Sequence, residues 1–227
     1  MFRQISDNIY IRVSNSFDSN IIYINAGERQ ILVDAGTGMY PDTLNQDLLN
    51  IGSSVNVLTD IVLTHSHIDH IGGVLPIIAN ASPTLHLHKS EGDMINSGDM
   101  RLTLSSTFGV ELPPMRIDSL LEEGQELCLG DVCFKVYSTP GHSIGSICLH
   151  IEEEGILITG DTLFPGGSFG RVDFPTGNPQ QLVASLKRIT EWDFVIALPG
   201  HMNAITSNAK KHAESSYQMA SSMFRYQ

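Results

Sequence analysis

The sequence predicts an α+β fold, and three observations carry that prediction. Short β-branched runs separated by polar turn residues begin early, at "NIYIRV" (8–13), "NIIYIN" (20–25) and "QILVDAG" (30–36). A second group follows in the latter half: "ELCLG", "VCFKVYSTPG", "SICLHI" and "GILITGD". The strings "ILVDAGTG" (31–38) and "ILITGDTL" (156–163) are both apolar strands that end in an Asp-containing turn. Chance could produce such a pair, and so could two similar β-rich halves packed face to face.

Between these runs the elements can be read in order. "PDTLNQDLLNIG" (41–52) reads as a helix, with Pro41 suited to its start and Gly52 to its close. "DIVLTH" (60–65) is an unbroken apolar strand, and "IDHIGGVLPIIAN" (68–80) has a helical pattern interrupted by Gly72, Gly73 and Pro76. "TLHLH" (84–88) is strand-like. Residues 89–120, rich in Ser, Gly and Met, predict short helices and a loop over a site. In "NPQQLVASLKRI" (178–189), Asn178 can cap a helix, Pro179 fits its first turn and Gln181 can complete a capping box. "DFVIALPGH" (193–201) is a strand entering a loop, and Ala204 to Phe224 reads as a last helix.

The 227 residues are 41% hydrophobic and 17% charged, which suits a globular protein with a sizeable core. No linker or low-complexity segment interrupts them, so residues 1–227 read as one domain. No apolar run approaches the ~20 residues of a membrane span, and the N-terminus lacks a secretory layout, so Met1 is expected to begin a cytoplasmic protein. The formal charge of −12 disfavours extended contact with a phosphate backbone, so no nucleic-acid or membrane partner is expected. Cys128, Cys133 and Cys148 make an odd count without CxxC spacing, and each sits in an apolar strand-like run. That setting predicts reduced core residues rather than a disulfide framework.

The chemistry concentrates in "THSHIDHIGG" (64–73), which places His65, His67, Asp69 and His70 together although the chain has only nine histidines. In an extended segment residues i and i+2 point the same way, so His65 and His67 can grip one ion. A turn into helix then swings Asp69 and His70 toward another. Further candidates occupy turns after apolar strands: His142 in "STPGHS", Asp161 in "ITGDTLF" and His201 in "ALPGHM". A lone His or Asp in a turn is ordinarily a solvated or capping residue, but so many in one setting suggests convergence on one sheet edge. His86, His88 and His150 lie within strand-like runs and read as structural, and His212 as a surface residue of the last helix. Arg171 reads as a loop pin in preference to a substrate-carboxylate contact, and Met94, Met100 and Met115 as core filler in preference to groove lining.

"THSHIDHIGG", "TPGHS", "GDTLF" and "LPGH", in this order, resemble the metallo-β-lactamase superfamily, from the Asp34 turn in "VDAG" to His201. The resemblance implies a four-layer αββα sandwich with two divalent metal ions at its edge: zinc first, with iron or manganese as alternatives. It implies that His65, His67 and His142 hold one ion and that Asp69, His70 and His201 hold the other. Asp161 and a water would bridge them, and Asp34 would orient the ligands. "GDTLFPGGSFGRVDFPTGN" (160–178) further resembles the glyoxalase II-like hydrolases and their persulfide dioxygenase relatives. The β-lactamases of the superfamily usually carry Cys where this chain has Asp161. The helical region with which full-length glyoxalase II contacts glutathione has no counterpart after His201, so a separate C-terminal glutathione-binding domain is not expected. The resemblance thus implies a dinuclear hydrolase of small-molecule acyl thioesters in which Asp69 doubles as a proton acceptor. The alternatives are a mononuclear-iron persulfide dioxygenase using His65, His142 and Asp161, and a superfamily phosphodiesterase or lactonase.

Overall fold

The computed structural model describes residues 1–14 and 17–225. Two sheets face one another. The first has seven strands in sequence order: β1 (Phe2–Gln4), β2 (Ile9–Arg12), β3 (Ile21–Ala26), β4 (Arg29–Val33), β5 (Asp60–Val62), β6 (Thr84–His88) and β7 (Ser119–Leu121). Strands β1 to β4 pair antiparallel, and β4 to β7 pair parallel. The second sheet has the order β12-β11-β10-β9-β8, from β8 (Glu126–Leu129), β9 (Val132–Ser138), β10 (Ile147–Ile151), β11 (Ile156–Gly160) and β12 (Ile196–Pro199). Its pairs are antiparallel except β11 with β12.

Side-chain alternation decides the layers. Along β3, Ile22 and Ile24 point toward the second sheet, and Ile21 and Tyr23 point away. The inward set meets Phe134, Val136, Leu149 and Ile158 of the second sheet in a continuous core. On the outer face of the first sheet lie α1 (Pro41–Leu49), α2 (Ile68–Ile71), α3 (Val74–Ile78) and α4 (Lys89–Asn96), which bury Leu44, Leu48, Ile71, Val74 and Ile95 there. On the outer face of the second lie α5 (Pro179–Glu191) and α6 (Ala209–Met223). Helix α5 buries Leu182, Leu186 and Ile189 at helical spacing, each worth about 1.5–3 kcal/mol. Helix α6 buries only small residues, Ala209, Ala213, Ser216 and Ala220, which suits its close packing against α5. The result is the expected αββα sandwich.

Several local expectations need correction. The three-residue strands β1 and β7 are too short to show a period, and the sequence pattern missed them. Residues 68–80 form two short helices, because the chain turns at Gly72–Gly73, where a Cβ on Gly73 would sit 1.9 Å from the Ala35 carbonyl oxygen. The last helix starts at Ala209, because Ile205 is drawn into a bridge with Ala197. The cap of α5 is half of the expected box: the Asn178 side chain accepts from the Gln181 N–H at 2.9 Å, but the Asn178 N–H donates to the Gly141 carbonyl. Cys128 and Cys133 are not reduced core residues. They are exposed directly cross-strand partners on the β8–β9 hairpin and form a disulfide; Cys148 alone is a buried free thiol. Their alternation with buried Leu127, Leu129, Val132 and Phe134 puts them on the solvent face. No helix among the described residues is long and apolar enough to cross a membrane.

Candidate metal centre

Strands β4 and β5 are parallel, as are β11 and β12, and β9 runs in the direction of β11. The C-terminal ends of these five strands therefore open at one edge of the sandwich. Each sequence-predicted site residue sits there. Asp34 follows β4, His65 to His70 follow β5, His142 follows β9, Asp161 follows β11 and His201 follows β12. The polypeptide crosses between the sheets at this edge: the Ile147 N–H donates to the Thr64 carbonyl at 2.9 Å, and the Asn20 N–H to the Gly200 carbonyl at 2.6 Å.

The seven expected ligands converge. His65, His67 and His142 offer ligand atoms within 4.8 Å of one another, as do Asp69, His70 and His201, and a third grouping joins His65, His70 and Asp161. Asp161 lies between the first two sets, with Oδ2 3.5 Å from His142 Nε2 and 3.4 Å from His201 Nε2, and Oδ1 3.4 Å from His70 Nε2. Asp69 Oδ2 is 3.1 Å from His201 Nε2. Gly200 permits this approach, since a Cβ there would stand 2.3 Å from Asp161 Oδ1. His86, His88 and His150 stay outside: His86 bonds Asp60 at 3.0 Å, and His88 bonds Ser138 at 3.1 Å and caps α4. His212 is more than a surface residue, because its Nδ1 accepts from the Gly166 N–H at 2.9 Å and holds the 165–167 turn.

Surrounding groups fix the imidazoles. Asp34, at the left-handed φ of 59°, accepts from the Thr64 N–H, the Thr64 hydroxyl and His70 Nδ1, each at 2.8 Å. His142 Nδ1 donates to the Arg171 carbonyl at 2.7 Å. Both rings thus present Nε2 to the centre. Sequence reasoning missed two further anchors. Glu91 is 1% exposed; its Oε2 accepts from the Ser66 N–H at 2.7 Å and its Oε1 from the Gly145 N–H at 3.1 Å, tying the turn of His65 and His67 to that of His142. In "KSEGD" it reads as one more charge on a solvated helix, and only tertiary burial distinguishes it. Asn20 donates to the Pro199 and Met202 carbonyls, each at 2.8 Å, and so holds the turn that carries His201.

The electrostatics call for positive charge. Burial, reinforced by the facing imidazoles, pushes His65 well below its ordinary pKa and His67 down to about 3, leaving both neutral with lone pairs to offer. Burial acts the same way on His70 and His201 but is overcome. The carboxylates of Asp34, Asp161 and Asp69 raise His70 well above its usual value, and Asp161 with Asp69 brings His201 up to about 9. Burial would raise Asp161 and Asp69, yet His70 and His201 hold both below the usual carboxylate range. Protons on two imidazoles stand where cations would serve. His65 Nε2, His70 Nε2 and Asp161 Oδ1 are buried without a hydrogen-bond partner, a costly arrangement that a metal ion relieves. The donor set, imidazole nitrogen and carboxylate oxygen, fits zinc or iron.

A cleft of about 300 Å³ opens above this floor. It is lined by Phe17, Leu104, Phe108, Phe164, Phe169 and Phe174, with Arg171 at the rim. Residues around 104–108 thus do cover the site, whereas Met100 and Met115 pack into the core behind it. Arg171 pairs with Asp173 at 2.6 Å, pinning its own loop as expected.

A protein from Bacillus subtilis described as a probable metallo-hydrolase, YqgX, is 34% identical over 62% of this chain and 67% of its own length. The Gallus gallus acyl-coenzyme A thioesterase MBLAC2 is 31% identical over 89% of this chain and 77% of its own length. The solved structure of TTHA1623 in a di-iron-bound form superposes with a TM-score of 0.69 at 28% identity, over 86% of this chain and 92% of that one. The model of the metallo-beta-lactamase superfamily matches residues 15–201, the span from before Asp34 to the last of the converging histidines, and the chain belongs to that superfamily.

Proposed function

We propose that this protein is a metal-dependent hydrolase of thioesters. One observation carries the reading: among the described residues, every titratable side chain on the floor of the cleft is His or Asp, and no Ser, Thr, Cys, Lys or Tyr lines it. The described cleft therefore supplies no side-chain hydroxyl, thiol or amine for nucleophilic catalysis, and water is left as the attacking group. His65, His67 and His142 would hold one divalent ion and Asp69, His70 and His201 a second, with the Asp161 carboxylate between them. When bound, such ions lower the pKa of water from about 15.7 to about 7 and polarise an acyl carbonyl. Zinc suits the donor set, and the di-iron form of a related structure supports iron as well.

The chain's own groups do the rest. Asp69 lines the cleft beside His201 and can take a proton from the attacking water. His142 and His70 are held in one tautomer, by the Arg171 carbonyl and by Asp34. A thiolate leaves without strong acid assistance, since a thiol pKa is about 8.5, which matches a cleft without a dedicated acid. The thioesterase name of the Gallus gallus relative supports the same class. The single-domain reading of the chain and the glutathione-linked acyl group belong to this proposal too.

The test is metal analysis beside a thiol-release assay. Close to two first-row ions per chain and cleavage of S-lactoylglutathione or acyl-coenzyme A are expected. Asp161→Ala is expected to lower both metal content and rate, whereas His150→Ala, on the outer face of β10, leaves both near wild type. One iron per chain, with oxygen consumed on a persulfide, would establish a dioxygenase instead; turnover only of β-lactams, lactones or phosphodiesters would replace the substrate class.

A further inference from the structure

The walls of the cleft are made of side chains that the hydrolytic chemistry does not use. Phe17, Phe108 and Phe174 come from three separate connecting segments, yet their rings form a continuous run. Phe17 and Phe108 lie 4.7 Å apart, and Phe108 and Phe174 6.3 Å apart. Phe174 stands 5.5 Å from the His67 ring and 6.3 Å from that of His142. The run thus leads from solvent to two of the converging imidazoles. Its outer members are 45% and 40% exposed, apolar surface that the fold itself leaves uncovered beside the reaction centre. Above the floor, Arg171 is the one polar side chain among the described residues that line the cleft. It is occupied by Asp173 at 2.6 Å, and its guanidinium carbon lies 4.4 Å from the centre of the Phe174 ring. A hydroxylated acyl group entering here loses water and finds no free side-chain partner among the described residues of the wall, which is unfavourable.

We propose that the acyl group taken by this site is apolar, a medium-chain aliphatic or aryl group, and that Phe17, Phe108 and Phe174 set this preference. The inference rests on the thioesterase reading and names the substrate class within it. The acyl arm lies along the aromatic run with its carbonyl over the His and Asp floor, and the thiol carrier, polar in ordinary biological thioesters, leaves toward solvent.

The experiment uses the metal-replete protein and thioesters of N-acetylcysteamine, a small neutral thiol, carrying acetyl, butanoyl, hexanoyl, lactoyl and phenylacetyl groups. The same acyl series is run in parallel as p-nitrophenyl esters. Each added methylene is expected to raise kcat/KM about fourfold until the cleft is filled, from about 0.8 kcal/mol per buried methylene. Lactoyl is expected to be a poorer substrate than butanoyl. Phe108→Ala is expected to lower kcat/KM for hexanoyl and phenylacetyl at least tenfold more than for acetyl, with Phe108→Leu restoring part of the difference. If the alanine variant does not fold, Phe17→Ala makes the same comparison. A flat acyl series, or lactoyl preferred over hexanoyl, overturns the apolar seat and leaves thioester hydrolysis standing. If every thioester is inert, the thioesterase reading fails, and the p-nitrophenyl series still decides whether the acyl preference is apolar.

Discussion

Replacing Asp34 with Asn isolates the part that a buried carboxylate plays behind the metal centre. Asp34 divides its oxygens unequally: Oδ1 accepts the Thr64 N–H, and Oδ2 accepts both the Thr64 hydroxyl and His70 Nδ1. An asparagine keeps the first contact and tolerates the left-handed backbone at φ 59°. Its amide nitrogen takes the place of Oδ2, so an acceptor becomes a donor. The hydroxyl can reverse its role. The imidazole, protonated on both nitrogens without metal, can do so only by giving up its Nδ1 proton and keeping the one on Nε2, the atom aimed at the centre and without a partner there. Metal binding must then reverse that tautomer and set two donors face to face, at about 1–3 kcal/mol for the unsatisfied group. That range agrees with the 10–100-fold loss typical when a partner behind a metal ligand is removed, about 1.4–2.8 kcal/mol. Competition with a chromophoric chelator, ion by ion, is the assay. With two ions bound as proposed, the one held by His70 is expected to weaken 10–100-fold, the one held by His65, His67 and His142 to change much less, and the melting temperature without metal to move only a few degrees. Equal affinities in variant and wild type for the His70 site would refute the tautomer argument.

Other consequences can be measured separately. Glu91→Ala leaves the N–H groups of Ser66 and Gly145 without their acceptor, and at about 1.5–3 kcal/mol per charge-assisted bond it should cost about 3–6 kcal/mol in urea unfolding, with Glu91→Gln losing roughly half. Chelation of a protein with each of two sites saturated at 100 times Kd removes about 2.7 kcal/mol per ion, about 5.4 kcal/mol in all, so the melting temperature should fall by about 11–22 °C and recover on adding metal; an unmoved transition would count against a structural coupling of the ions. Burial opposes ionisation of Asp60, but hydrogen bonds from His86 and Thr59 and the charge of Arg29 hold its carboxyl below the usual range. Its stabilisation is therefore present above pH ~4 and is lost as pH falls through the depressed value, so the stability gap between wild type and Asp60→Asn should narrow in unfolding curves taken from pH 5 down to pH 3.

What the sequence discloses depends on how local the physics is. His65 to His70 is legible because strand geometry and the turn into α2 act within a few residues, and β6 at "TLHLH" and α5 are legible through their period. Strands β1 and β7 are invisible because each has three residues and lacks the unbroken apolar run that marks β5, and their pairing is supplied by neighbours already in the sheet. The cysteines mislead because apolar neighbours suggest burial, whereas alternation along β8 and β9 sends Cys128 and Cys133 to the solvent face. Glu91, Asn20 and the aromatic run stay hidden for a related reason: each acts on residues far away in the chain, as Asn20 does on the turn at Met202. Motif order could announce the converging ligands, but not what holds them or what lies above them.

The placement of the ligands carries a consequence for how the fold and the centre depend on each other. His65, His67, Asp69 and His70 extend from the first sheet, and His142, Asp161 and His201 from the second. Those two groups are joined by a few bonds, among them those from Ile147, Asn20 and Gly145 and one between His67 Nδ1 and His142 Nε2 at 2.8 Å. The main core, by contrast, lies deeper between the sheets, where Phe134, Leu149 and Ile158 meet Ile22 and Ile24. Asp34, Asp69 and Asp161 crowd together at the edge, and their repulsion acts across the same seam. Protonated His70 and His201 offset that repulsion when no cation is bound, and divalent cations would offset it more fully, each bringing two charges and a partner for the unpartnered ring nitrogens. Ions bound here as proposed would therefore close the edge that hydrophobic burial leaves open, and the anchors that Asp34, Glu91 and Asn20 provide keep that edge near its closed geometry before any ion arrives.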